Sequence, residues 1–300
     1  MKKYIGVYTD MCAFFDKNLI DADENKNSFI ENLGDWKKSG VNLITVGLQS
    51  PNPFGEYYKK AREQDKTKNI RFDSSAIKSG GGLNCAFLDN AAGIIKAANN
   101  FDFAVIVNIL SPACENKFED EFALVNGIFN VIDWILKQNF TNILVNIADI
   151  SHTFYKSSVL NGEKIIKLLK SVREKTKDKL ILGTGIKTFA NFSEKNIAEY
   201  IKLSDFIPIY PDNTKNMLKK IYFFRAADKE IPLIAVKGDD LSEKYNSYGK
   251  NNLTEAAENG ISWCYYDLNG FVILENNSIN WDKNSSAEKK RFFETVENIV

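Results

Sequence analysis

A single histidine, His152, stands in a chain of 300 residues. That scarcity argues against zinc sites built from cysteine and histidine. The four cysteines, Cys12, Cys85, Cys114 and Cys264, form no CxxC pair, and each sits in or beside an apolar segment. Free thiols in a reducing compartment are expected rather than a disulfide framework. Net charge is also lacking: 39 Lys and Arg balance 39 Asp and Glu. A protein held to nucleic acid through phosphates needs a basic excess, as does a polybasic membrane anchor. No apolar run approaches the ~20 residues of a membrane helix, and the start, MKKYIGVYTDM, lacks the apolar stretch of a signal peptide. The expectation is a cytoplasmic protein with neither nucleic acid nor membrane as partner. A P-loop, a GxGxxG fingerprint and a Gly-x-Ser-x-Gly elbow are missing too. No cofactor and no metal is expected, and the glycine runs Ser79–Leu83 and Gly183–Gly185 read as turns. Oligomeric state is not set by the sequence.

What is present is alternation. Short apolar, β-branched runs recur at Tyr4–Thr9, Asn42–Leu48, Phe103–Leu110, Asn142–Ala148, Leu180–Gly185, Asp205–Tyr210, Pro232–Lys237 and Ile261–Asp267. Each is followed by a stretch with helical spacing, such as Glu119–Gln138 with Phe122, Leu124, Val125, Ile128, Ile132 and Ile135. Several strands are apolar on both faces, as in a parallel sheet covered by helices. Eight β/α units in this length predict an α/β fold, a single (β/α)8 TIM barrel over residues 1–300. A long loop excursion, residues 49–83, follows the second strand. The rival, a doubly wound open sheet, usually has fewer units and a glycine-rich first turn, and TDMCAFF has no glycine.

In such a barrel the chemistry sits at the C-terminal ends of the strands. Polar residues collect there: Asp10, Gln49, Asn108, Asn146, Asp149, His152, Lys237, Asp239, Asp240 and Asp267. Aromatics join them, among them Tyr155, Tyr210 and Trp263. Rings that stack on a pyranose face, with amides and carboxylates for its hydroxyls, suit an oligosaccharide or glycoside ligand. The expected binding set is Asp10, Gln49, Asn108, Tyr155, Tyr210, Lys237, Trp263 and Asp267. Lys237 could instead pair with Asp149 or Asp239 and fill the space a ligand needs.

Several segments, in order and nearly end to end, resemble a bacterial cellulase-like family of retaining (β/α)8 glycoside hydrolases. They are Gly6–Asp16, Ile44–Pro53, Trp134–Ser151, Pro232–Asp240, Ala256–Phe271, and Asn277–Trp281 with Lys289–Phe293. The resemblance implies two catalytic glutamates, an acid/base after an asparagine at the end of the fourth strand and a nucleophile at the end of the seventh. Here Ile147-Ala148-Asp149-Ile150 puts isoleucine at the acid/base position, and Gly238-Asp239-Asp240 puts glycine at the nucleophile position. By this comparison both glutamates are gone, and the expectation is a pseudoenzyme with a carbohydrate-binding mouth. The alternatives are an active glycosidase using relocated aspartates, Asp149 with Asp239 or Asp240 and His152 as a further candidate, and a barrel enzyme of other chemistry.

Overall fold

The computed structural model describes residues 3–9, 22–49, 75–111, 118–149, 157–186, 189, 192–210, 214–228, 230–238, 252–265, 274–275 and 278–300. Among them, strands and helices alternate: β1 (Ile5–Thr9), α1 (Ala22–Lys38), β2 (Leu43–Gly47), α2 (Cys85–Asn100), β3 (Ala104–Leu110), α3 (Glu121–Gln138), β4 (Ile143–Ala148), α4 (Glu163–Thr176), β5 (Ile181–Gly183), α5 (Glu194–Leu203), β6 (Ile207–Ile209), α6 (Thr214–Ala227), β7 (Leu233–Gly238), α7 (Asn252–Glu258), β8 (Ser262–Tyr265), and α8 (Ala287–Ile299). A small antiparallel hairpin, β9 (Leu274–Glu275) and β10 (Ser278–Ile279), precedes α8. The eight main strands run in the order β5-β4-β3-β2-β1-β8-β7-β6, and every pairing is parallel. Because β1 pairs with both β2 and β8, the sheet curls through the first strand into a nearly closed (β/α)8 barrel.

Side-chain alternation along each strand splits the core into two layers. Leu43, Ala104, Ile106, Leu144, Ile234 and Cys264 form a cluster that contains no helix residue and so fills the barrel interior. Their neighbours Ile44, Val105, Val107, Val145 and Ala235 pack outward with the apolar stripes of the helices. On α3 that stripe is Leu124, Ile128, Val131, Ile132 and Ile135, all buried at helical spacing. Asp120 caps its first turn, accepting from the Ala123 N–H at 2.7 Å, and Asn139 ends it in the left-handed region.

Among the described residues the strand order of the barrel is open between β5 and β6. β5 and β6 are three residues each, shorter than the runs Leu180–Gly185 and Asp205–Tyr210 suggested, because each is laddered on one side only. Asp205 spans the gap. Its N–H donates to the Leu182 carbonyl at 2.8 Å, and its carboxylate accepts from the Leu182 N–H at 2.8 Å. Arg173 of α4 ties the same carboxylate at 2.6 Å. Gly183 permits the approach, since a Cβ there would lie 2.6 Å from the Phe206 carbonyl oxygen.

The excursion after β2 leaves and returns at one point. Gln49 bridges Ser75, and Ala76 N–H donates to the Leu48 carbonyl at 2.8 Å. The glycine run is a turn docked on α3. Gly81 has φ +83°, and its carbonyl accepts from the Asn130 amide at 2.9 Å. Residues 50–74 lie outside the described residues.

Candidate functional site

At the C-terminal end of the barrel interior, two amides stand side by side because the strands place them in register. Asn108 of β3 is paired with Asn146 of β4. Asn146 Nδ2 donates to Asn108 Oδ1 at 2.8 Å and to the Tyr210 hydroxyl at 3.2 Å, while its Oδ1 accepts from Gly185 N–H at 3.1 Å. Both donors and the acceptor of this amide are thereby used. The burial of a polar side chain in an apolar strand is offset by partners built into the fold.

Tyr210 follows β6 and reaches across to β4. The space is left by Gly185, where a Cβ would lie 2.4 Å from the tyrosine ring. The Tyr210 phenol donates to the Asp149 carboxylate. Lys220 of α6 fixes the tyrosine backbone by donating to its carbonyl at 2.5 Å. Asp149 is fully buried, and its N–H extends the parallel ladder to the Leu110 carbonyl at 2.9 Å. β4 ends at Ala148, and Asp149 lies in the turn that follows. The chain's departure from the strand lets the Asp149 carboxyl face Tyr210, although strict alternation would have sent it away from the interior side of Asn146.

Beneath this network Thr45 Oγ1 and Cys264 Sγ meet at 3.0 Å. Burial pushes the Cys264 thiol up to about 12, the nearby Asp149 charge adding to the effect against the Thr45 hydrogen bond. The thiol is therefore protonated at neutral pH and is no nucleophile. Further out, Glu121 at the start of α3 grips the foot of the loop after β4. Its carboxylate accepts from Ser158 N–H at 2.7 Å and from the Ser158 and Ser157 hydroxyls at 2.8 and 3.0 Å, which hold its pKa below the usual glutamate value.

The structure thus gathers Asn108 and Tyr210 of the expected binding set and Asp149 of the catalytic candidates, with Asn146 at their centre. Asn146 was conspicuous as an amide inside an apolar strand, but its role as the hub depends on register and on Gly185. Gln49 is buried and ties strand ends, its Oε1 accepting from Ser111 N–H at 2.9 Å. Trp263 corrects the expectation. It is 1% exposed and belongs to the helix-side cluster, on the face of β8 opposite the interior Cys264, so it offers no ring face for stacking. Asp10, Ile150, His152, Tyr155, Asp239, Asp240 and Asp267 lie outside the described residues, as does the side chain of Lys237. Among the described residues no group of three or more His, Cys, Asp or Glu could hold a metal ion.

No family model matches the sequence, and no curated protein matches it. Solved structures do. An endo-β-1,4-glucanase from Xanthomonas axonopodis pv. citri superposes with a TM-score of 0.63 at 10% identity, covering 99% of each chain. The chain has the fold of the cellulase-like (β/α)8 glycoside hydrolases. An endo-β-1,4-mannanase from Thermotoga petrophila gives 0.60 at 11% identity, covering 99% of this chain and 77% of that one. A glycoside-hydrolase-like structure from Bacteroides vulgatus gives 0.63 at 12% identity, and this chain spans 56% of its length. At these identities the likeness is one of fold.

Proposed function

We propose that this barrel binds a carbohydrate at its C-terminal mouth and has lost the two-glutamate double displacement. The observation that carries the proposal is the pair Ile150 and Gly238, which stand where the resemblance calls for proton donor and nucleophile. Gly238 closes β7 in register with Tyr265 of β8, at the end of the barrel where such a nucleophile belongs, and has no side chain to offer. Isoleucine delivers no proton and glycine attacks no anomeric carbon. Loss of the general acid alone costs ~10²–10⁴-fold, and loss of the nucleophile removes the covalent route. The fold shared with a β-1,4-glucanase and a β-1,4-mannanase supports β-1,4-linked gluco- or manno-oligosaccharides as the ligands to try. Such an oligosaccharide should raise the melting temperature without being cut. A panel that produces no shift at millimolar concentration would remove the carbohydrate assignment.

A second function has one observation in its favour. Asp149 does turn inward, as a relocated catalytic carboxylate must. It then needs Asp239 or Asp240 across the mouth, at ~5 Å for retention or ~6.5–9.5 Å for inversion. Asp149→Asn with Asp240→Asn would abolish cleavage of oligosaccharides on that account and change nothing on the first.

A further inference from the structure

The junction between β5 and β6 is a seam built differently from the rest of the barrel. Every other neighbouring pair of main strands is a backbone ladder aligned over three or more residues. Across the seam, side chains act as latches. Just before β6, Asp205 exchanges backbone and carboxylate hydrogen bonds with Leu182, and Arg173 pairs with that carboxylate. The Asp205 side chain is 39% exposed, so water competes for these bonds. At the mouth, the Tyr210 phenol donates to Asp149 and accepts from Asn146 at 3.2 Å.

Side chains interlock little between the latches. The β5 side meets β6 with glycines: a Cβ at Gly183 would strike the Phe206 carbonyl and ring, and one at Gly185 the Tyr210 ring. Rings thus lie on bare backbone and can lift away without unthreading a side chain. On the helix side, Phe189 joins Tyr200 of α5 to Phe223 and Phe224 of α6, with ring centroids 5.4, 5.7 and 5.5 Å apart, and Phe223 remains 42% exposed. Sparse apolar contact and solvent-exposed hydrogen bonds mark the low-stability end of a fold.

Each latch is anchored on its own side. Lys220 of α6 holds the Tyr210 carbonyl at 2.5 Å, while Arg173 of α4 also holds the Leu203 carbonyl at the end of α5 at 2.9 Å. We propose that the barrel parts along β5 and β6 in one cooperative opening, both latches releasing together while the laddered junctions hold. Tyr210 then leaves Asn146 and Asp149, and this buried network meets solvent at the mouth in the parted state. The opening needs no ligand and stands apart from the carbohydrate-binding function.

The test is native-state hydrogen exchange on the full chain, across a urea series below the unfolding transition. The Leu182 and Asp205 N–H groups, bonded across the seam, should share one urea slope, above zero and below that of the β3 amides. Tyr210→Phe removes a hydrogen bond at the other latch and should speed exchange at both amides ~10-fold. Asp120→Ala removes the α3 cap, and should speed the β3 amides while leaving these two unchanged. No change at Leu182 and Asp205 in Tyr210→Phe would mean that the latches release independently, and overturns the proposal. Equal acceleration of all these amides in Asp120→Ala would mean exchange through global unfolding, and also overturns it. If Tyr210→Phe does not fold, the wild-type slopes decide: a zero slope at either amide, or the β3 slope at both, overturns the cooperative opening.

Discussion

Burying an amide or a carboxylate costs several kcal/mol unless its partners are supplied. Asn146 and Asp149 meet that demand through Asn108, Gly185 and Tyr210. Removing the phenol by Tyr210→Phe takes a donor from a buried carboxylate and should cost about 1–3 kcal/mol in denaturant unfolding. An unchanged midpoint would show that the bond contributes nothing. At Cys264 burial raises the thiol toward 12, so the unfolded thiol ionises first as pH rises past ~8.5 and its share of stability falls between those values. Native alkylation at pH 8 should therefore label the exposed Cys85 and spare Cys264, with Cys264 reacting only after unfolding. Labelling of Cys264 in the folded protein would contradict its assigned place. The two asparagines and Asp149 were visible in the sequence as polar residues in or after apolar strands. Their bonding was not, because it depends on the β3–β4 register and on the turn at Asp149, which composition does not encode.

At the scale of elements, the eight β/α units were legible from alternating apolar runs, since period and length separate strand from helix. The seam was not, because a strand paired on one side reads like one paired on both. Gly183 and Asp205 hold it. Gly183→Ala would push a Cβ against the Phe206 backbone, which cannot yield as a side chain can, and should cost about 1–3 kcal/mol. Asp205→Ala should speed hydrogen exchange at the Leu182 amide more than at the β3 amides. Equal effects would mean that the seam is no weaker than the rest. Trp263 shows how a motif misleads. The resemblance favoured a platform at Trp263, but one residue of alternation sends it to the helices, with Cys264 taking the inward place. Trp263→Ala should cost about 3–5 kcal/mol of stability and leave ligand affinity unchanged in protein that remains folded. A selective loss of binding would restore the platform.

For the whole molecule, a balanced charge and a barrel shared with glycoside hydrolases put the weight of the proposed function on two positions. The strands position a polar floor, and Glu121 anchors the foot of the loop after β4, while at the two positions that the resemblance assigns to proton donor and nucleophile the sequence has Ile150 and Gly238. The direct measurement is release of new reducing ends from β-1,4-linked gluco- and manno-oligosaccharides, by the wild type and by the protein carrying Ile150→Glu and Gly238→Glu. The wild type should release none above buffer over prolonged incubation, and the double variant should release them. Cleavage of these substrates by the wild type would contradict the proposed loss of the two-glutamate mechanism.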